Sequence, residues 1–234
     1  FVMVSPQQDT PERTSLELRM KHGDMIVERR PVGPFAMNSY LIGCAKTGAG
    51  AIVDSGGETD EMLGLAESHG LQIEKLLQTH AHIDHVMGLK EMKEKTGAPI
   101  YLHPADAPIY MNAGVSARMF GLQLEALPPI DCDLAEGAQI ALGSLRFRVL
   151  FTPGHAPGHV CYWEEELGVL FGGDLIFQGS IGRVDLPLCN PSHMQASLLR
   201  VRDALPDETI IYPGHMGSTT MGSEKRTNPF LLQL

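Results

Sequence analysis

Period-two alternation opens the readable part of the chain. Leu16-Glu17-Leu18-Arg19-Met20 predicts a first strand, and Met25-Ile26-Val27 its hairpin partner after His22-Gly23-Asp24. Asn38-Ser39-Tyr40-Leu41-Ile42-Gly43 and Gly50-Ala51-Ile52-Val53 form a second pair, the latter running into Asp54-Ser55-Gly56-Gly57, where glycine lets the backbone turn tightly. A helix is predicted from Thr59 to Ser68 or His69, stopped by Gly70. There follow a strand from about Glu74 to Gln78, a helix from His85 to Lys95 that ends at Gly97, a short strand Ile100-Tyr101-Leu102, and a helix over 104–111 with Pro104 in its first turn. Residues 114–129 carry no readable period; Met119, Phe120, Leu122 and Leu124 are assigned to core packing, with pocket lining as the alternative. From Ala138 strands dominate: Gln139 to Leu142, Leu145 to Phe151, Val160 to Trp163 and Val169 to Phe171. A helix from about Ser192, its cap, through Leu205 and a strand Thr209-Ile210-Ile211-Tyr212 complete the pattern. The order of strands, βα units, strands and βα unit predicts two similar halves, with sheets facing each other and helices outside. Residues 1–15, polar and aperiodic with Pro6 and Pro11, are expected to form a flexible arm, and 16–234 a single domain.

Composition narrows the function without naming it. With 43% hydrophobic and 20% charged residues the chain reads as ordinary globular protein, and its 234 residues suffice for one large core. A net charge of -10 argues against a broad phosphate-binding face, so nucleic acid is not the expected partner. No apolar run reaches the ~18–20 residues that span a bilayer, which sets a membrane partner aside. Cys44, Cys132, Cys161 and Cys189 are widely spaced without a CxxC pair, as reduced thiols of a cytoplasmic protein are. The chain opens on Phe1 rather than Met, as a trimmed or processed product does, and a removed targeting peptide would place it in an organelle.

The chemistry begins at Lys75-Leu76-Leu77-Gln78-Thr79-His80-Ala81-His82-Ile83-Asp84-His85, an apolar run emptying into three histidines and an aspartate. Residues two apart in an extended segment face the same side, so His80 and His82 can share one metal while Asp84 and His85 diverge toward another. The structural alternative is a helix start with Asp84 as cap. What favours ligation is that the same grammar recurs. Thr152-Pro153-Gly154 leads to His155, Gly172-Gly173 to Asp174, and Pro213-Gly214 to His215, each after an apolar strand. Four strand ends thus offer seven nitrogen and oxygen donors, where sheets commonly place ligand sites. Zinc, iron and manganese all suit such donors.

Thr79-His80-Ala81-His82-Ile83-Asp84-His85, Thr152-Pro153-Gly154-His155, Gly172-Gly173-Asp174 and Pro213-Gly214-His215 resemble the ordered motifs of the metallo-β-lactamase superfamily. The resemblance implies an α/β fold, an αββα sandwich of two facing mixed sheets with outer helices. It implies two divalent ions, zinc foremost and iron or manganese as alternatives. His80, His82 and His155 would hold one, Asp84, His85 and His215 the other, with Asp174 bridging and a water or hydroxide shared between them. Asp54 resembles the family's buried aspartate that supports the metal loop. The commonest β-lactamase subclass has Cys where Asp174 stands, which argues against a β-lactamase. Residues 179–187 and 220–231 resemble the short, single-domain glyoxalase II-like hydrolases, which implies cleavage of a small-molecule thioester such as S-D-lactoylglutathione by attack of the metal-bound hydroxide, with Asp84 and Asp174 as catalytic residues. Only nineteen residues follow His215, too few for the helical domain that grips glutathione in two-domain relatives. Arg183, Lys225 and Arg226 are then the candidates for an anionic substrate tail, each with a surface cation as its plainer reading. A mono-iron persulfide dioxygenase using His80, His155 and Asp174, or a lactone or ester hydrolase, are the alternative functions. His159 and His103 read as supporting or packing histidines, His22, His69 and His193 as surface residues, and Tyr162 and Trp163 as core.

Overall fold

Strands buried on both faces lose the simple alternation and read as apolar runs, as the second strand of this chain does. A computed structural model, describing residues 23–234, begins with β1 (Met25–Val32), β2 (Met37–Cys44) and β3 (Ala49–Val53). β1 pairs antiparallel with β2 and β2 with β3. Helix α1 (Thr59–Ser68) carries the chain across to β4 (Gln72–Leu77), parallel to β3, and α2 (Ile83–Val86) with α3 (Leu89–Thr96) carries it to β5 (Ile100–Leu102). A 3-10 turn (Pro104–Asp106), α4 (Ala107–Met111) and α5 (Ala113–Met119) precede β6 (Cys132–Asp133), the sixth strand of this sheet.

The second half builds another six-stranded sheet. β7 (Gln139–Leu142), β8 (Leu145–Phe151), β9 (Val160–Glu164) and β10 (Val169–Gly173) run antiparallel; then come the small hairpin β11 (Ile176–Phe177) and β12 (Ser180–Ile181), helix α6 (Pro191–Ala204), β13 (Ile210–Pro213) parallel to β10, β14 (Thr219–Thr220) and α7 (Met221–Thr227). Both sheets are mixed, and they face each other across a core of Val27, Tyr40, Ile42, Phe147, Val149, Tyr162, Phe171 and Tyr212. The residues alternating with these point outward: Leu41, Ile52 and Leu76 meet α1 and α3 through Met62 and Met92, while Leu170, Trp163 and Ile211 meet α6 through Leu198 and Val201. Three layers of apolar side chains therefore fix an α/β sandwich. No helix among the described residues is long and apolar enough to cross a membrane.

Several expectations need correction. The helix foreseen over 85–95 is broken into α2 and α3 around Gly88, whose N–H goes to Ser55 O at 2.8 Å and where a Cβ would lie 2.7 Å from Gly57 N. A tertiary contact overrides helical continuity there. The helix foreseen over 104–111 starts as a 3-10 turn. The long helix is capped by Asn190, which accepts the His193 N–H, rather than by Ser192. Met119 and Phe120 are not core: they are 80% and 57% exposed, because α5 buries its alanines instead. The arm at 1–15 and the strand at 16–20 lie outside the described residues.

Candidate metal centre

The seven predicted donors stand at one edge of the sandwich, where β4, β8, β10 and β13 all end. The strand ends are zipped together before any side chain is placed: Gly214 N–H donates to Gly173 O at 2.8 Å, Asn38 N–H to Gly214 O at 2.7 Å, and Val160 N–H to Thr79 O at 2.8 Å. Two glycines permit this crowding. A Cβ on Gly214 would lie 2.2 Å from Asp174 Oδ1, and one on Gly173, whose φ is 48°, would lie 2.7 Å from both His159 Nε2 and Thr79 Oγ1.

Neighbouring side chains then fix which ring nitrogen of each histidine stays free. Thr79 donates its hydroxyl to Asp54 Oδ2 at 2.8 Å and so faces His80 Nδ1, 3.0 Å away, as an acceptor. His85 Nδ1 lies 2.9 Å from the same Asp54 oxygen. His155 donates Nδ1–H to Arg183 O at 2.8 Å. All three therefore turn Nε2 into the cluster, the orientation that metal-binding imidazoles usually need. Asp54 itself is 1% exposed, takes a left-handed φ of 58°, and also accepts the Thr79 N–H at 2.7 Å. Behind the cluster His159 pairs with Thr152 Oγ1 at 2.8 Å and accepts the Asp174 N–H at 3.0 Å, the supporting position expected for it.

The donor atoms fall into three groups, His80–His82–His155, His80–His85–Asp174 and Asp84–His85–His215, each with all its ligating atoms within 4.8 Å of one another. Two donors bound to one zinc at tetrahedral geometry stand roughly 3.3–3.4 Å apart. Here His155 Nε2 to Asp174 Oδ2 is 3.4 Å, His85 Nε2 to Asp174 Oδ1 is 3.5 Å, and His215 Nε2 to Asp84 Oδ2 is 3.1 Å. His82 Nδ1 and His155 Nε2 approach closer, to 2.8 Å, as a neutral His82 donating to its neighbour does. His80 Nε2 and Asp174 Oδ1 are buried without a hydrogen-bond partner, a costly state for a polar atom unless something else satisfies it. The donor chemistry, the spacing and the orphaned atoms fit a pair of divalent cations.

Electrostatics separates the two ends of the cluster. Burial first, then the neighbouring imidazoles, pushes His80 well below its ordinary value, and burial with His155 pushes His82 down to about 3. His85 behaves oppositely: burial opposes its charge, but Asp54, Asp84 and Asp174 together outweigh it and raise its pKa well above the usual range. For His215 the hydrogen bond to Asp84 and the charge of Asp174 likewise overcome burial. Asp174 is held far below the ordinary carboxylate range, since His85, His155 and His215 outweigh its burial. A cation entering beside Asp84 therefore competes with protons on His85 and His215, whose charged forms the carboxylates favour, whereas burial and the neighbouring imidazoles favour the neutral forms of His80 and His82. Metal titration of the stripped protein should release protons, and on acidification the Asp84–His85–His215 group should lose its ion first, by about tenfold in affinity per pH unit for each proton displaced. Calorimetry in buffers of different ionisation enthalpy measures this; simultaneous, pH-independent release of both ions would contradict it.

The predicted substrate cations fare differently. Arg183 contributes its backbone carbonyl to His155, but its guanidinium is turned to Asp185 in a two-point pair of 2.8 and 3.0 Å. Lys225 gives its ammonium to Asp207 and to Leu205 O, and Arg226 leans toward the same aspartate at 4.0 Å. Asp207 precedes β13, whereas His215 follows it, so Lys225 and Arg226 stand at the opposite end of that strand and do not join the cluster. Placing them there was an error of sequence proximity: β14 turns back along β13 before α7 begins. His69 is not a plain surface residue either, because Glu28 Oε1 lies 2.9 Å from its Nε2. His193 is exposed, His22 lies outside the described residues, and His103 caps the 3-10 turn and stacks on Phe151.

Sequence reading missed three supporting residues. Asp106, fully buried, accepts Ala81 N–H at 2.7 Å and Gly158 N–H at 2.5 Å, tying the His80–His85 loop to the loop of His155. Nothing in Pro104-Ala105-Asp106 distinguishes it from an ordinary helix-start carboxylate. Glu224 and Asn228 were missed for the same reason. Both are buried; Glu224 accepts Gly179 N–H and Thr219 Oγ1–H, Asn228 donates to Ser180 O, and together they hold the β11–β12 hairpin whose Phe177 ring packs 5.8 Å from His215.

Comparison with known proteins agrees with this geometry. The chain is 37% identical over 209 residues to the hydroxyacylglutathione hydrolase GloC of Haemophilus influenzae, covering 88% of this chain and 98% of that one. Its structure resembles the crystal structure of TTHA1623 in a di-iron-bound form, with 41% identity, a TM-score of 0.79 and coverage of 88% and 100%. It also resembles BLEG-1, a B3 metallo-β-lactamase, with 32% identity, a TM-score of 0.82 and coverage of 88% and 99%. The di-iron form of the one and the histidine–aspartate cluster here point together to a dinuclear metal site. The family model of the metallo-beta-lactamase superfamily matches residues 32–215, a span containing every one of the clustered donors, and the chain belongs to that superfamily.

Proposed function

We propose that the protein is a metal-dependent thioester hydrolase of the glyoxalase II type, acting on a compound such as S-D-lactoylglutathione. The observation that carries the reading is the convergence of seven donors, with Nδ1 of His80, His85 and His155 already engaged, on a chain aligned almost end to end with a hydroxyacylglutathione hydrolase. His80, His82 and His155 would hold one ion, Asp84, His85 and His215 the other, and Asp174 would contact both. Such a pair supplies Lewis acidity, which makes water nucleophilic at neutral pH and polarises a carbonyl. Zinc, iron and manganese all accept this donor set, with zinc the first choice. The four free cysteines fit a reducing compartment such as the cytoplasm.

The chain's own residues supply the rest. His80 and His85 are wholly buried, while His82, Asp84 and His215 are partly exposed, so a substrate carbonyl approaches from their side. Asp84, with its carboxylate hydrogen-bonded to His215 at 3.1 Å, is placed to take a proton from the attacking water. A thiolate leaves readily because a thiol has a pKa near 8.5, so no strong general acid is needed beside it. β-Lactam hydrolysis is the second reading, favoured by the likeness to BLEG-1 and opposed by Asp174 standing where the commonest β-lactamase subclass has Cys.

Elemental analysis of the purified protein, combined with thiol release from S-D-lactoylglutathione and turnover of a chromogenic β-lactam, tests the proposal. Two metals per chain, thiol release abolished by chelation and restored by metal, and slower β-lactam turnover are expected. A single iron with oxygen uptake on glutathione persulfide, or preferential β-lactam cleavage, would reject it.

A further inference from the structure

With Lys225 and Arg226 at the far end of β13 and Arg183 committed to Asp185, the cluster's surroundings hold another cation. Along β1, Met25 and Val27 point between the sheets into the core, and Arg29 is the next residue on that face. Two residues further on, Pro31 stands opposite Asn38, whose N–H bonds to Gly214 O beside His215. Arg29 is half-buried, and its Nη1 donates to Met216 O at 3.1 Å, an oxygen that Asn38 Nδ2 also reaches at 2.8 Å. Met216 directly follows His215, has a left-handed φ of 68°, and leaves its side chain 55% exposed. The guanidinium thus sits at the lip of the loop that presents His215.

Its charge is what makes the position informative. In a chain of net charge -10, Arg30, Arg183, Arg200, Arg202, Lys90, Lys93, Lys95 and Lys225 each meet a carboxylate; Arg29, like Lys46, Lys75, Arg118, Arg146 and Arg148, pairs with none among the described residues, and it is Arg29 that bonds to the loop of His215. A guanidinium has five N–H donors in a rigid fork that matches a carboxylate at two points, and the contact with Met216 uses one of them.

Building on the thioesterase reading, we infer that Arg29 is the specificity residue that receives a carboxylate of the substrate's thiol portion while the thioester lies at the metals. Asn38 carries the Met216 carbonyl independently, so the loop does not rest on Arg29 alone.

The test compares wild type with Arg29→Gln, which keeps an N–H for Met216 O but removes the charge, using metal-loaded protein of measured metal content. The substrates are S-D-lactoylglutathione, a neutral thioester without a charged tail, and acetyl-coenzyme A, whose charge lies on phosphates. Unreactive S-methylglutathione serves as a binding probe read by calorimetry. Arg29→Gln is expected to raise KM for S-D-lactoylglutathione at least tenfold with kcat within twofold, to lower the preference for it over the neutral thioester by the same factor, and to weaken S-methylglutathione binding at least tenfold. Arg29→Lys should recover part of the loss. Equal loss on charged and neutral thioesters, or a fall in metal content, would make Arg29 a structural residue and overturn the inference; an effect confined to acetyl-coenzyme A would overturn the carboxylate assignment. If wild type cleaves no thioester, the proposed function fails by itself and the probe still decides. Weaker probe binding by the variant supports the inference, and equal binding, or none by wild type, overturns it.

Discussion

Asp174→Ala should cost the protein its paired metal and its hydrolytic activity in one step, with metal falling from two ions per chain to one or fewer and kcat/KM falling on the order of 1,000-fold. Asp174 is the carboxylate shared by both ends of the cluster: Oδ1 lies 3.5 Å from His85 Nε2, and Oδ2 lies 3.4 Å from His155 Nε2 and 3.7 Å from His215 Nε2. Its backbone N–H is held by His159, and a Cβ on Gly214 would run into its Oδ1, so the strand ends fit closely around it. Truncation removes the one negative group within reach of three imidazoles whose combined field keeps it ionised. Asp174→Asn, which keeps the shape and halves the donor capacity, should retain more metal than the alanine variant but little more activity. Elemental analysis and thiol-release kinetics on the two variants check this. Near-wild-type turnover by Asp174→Ala would remove the dinuclear scheme altogether.

The second large effect is expected in stability. Asp54→Ala leaves the Thr79 N–H and the Thr79 hydroxyl without their acceptor, and His85 without the carboxylate 2.9 Å from its Nδ1, inside a fully buried site. Removing one partner of a buried charged network costs about 3–5 kcal/mol, because the remaining groups stay desolvated and unpaired. The left-handed backbone adds to it, since alanine tolerates that conformation worse than aspartate or asparagine. Asp54→Asn keeps one acceptor oxygen and the backbone preference, and should lose less than half as much. Urea denaturation of the metal-free proteins at pH 7 measures both, with the midpoint moving and the slope unchanged. A loss below about 1 kcal/mol for Asp54→Ala would show that the Thr79–His85 loop is held by other contacts.

The two positions differ in how visible they are in the chain. Asp174 stands after an apolar strand and two glycines, a local signature repeated at His155 and His215, so its part in a shared site can be read without coordinates. Asp54 follows a strand and precedes two glycines, and only the resemblance assigns it to the metal loop. Asp106 carries no local mark, and its two bonds, to Ala81 and Gly158, join segments 77 residues apart in the chain. The same separation explains the misplacement of Lys225 and Arg226, which lie near His215 in sequence while β14 and α7 carry them to the other end of β13.

By itself the sequence determined the strand and helix alternation, the facing-sheet architecture and the seven candidate donors, because hydrophobic period and the glycine-then-ligand grammar are local properties that burial and backbone geometry write into neighbouring residues. Only the tertiary structure decided where α2 breaks from α3, which carboxylates lie against the histidines and which arginine reaches the loop of His215. Those outcomes depend on chain segments meeting across the two sheets, where one buried acceptor or one close backbone approach outweighs any preference of the residues beside it.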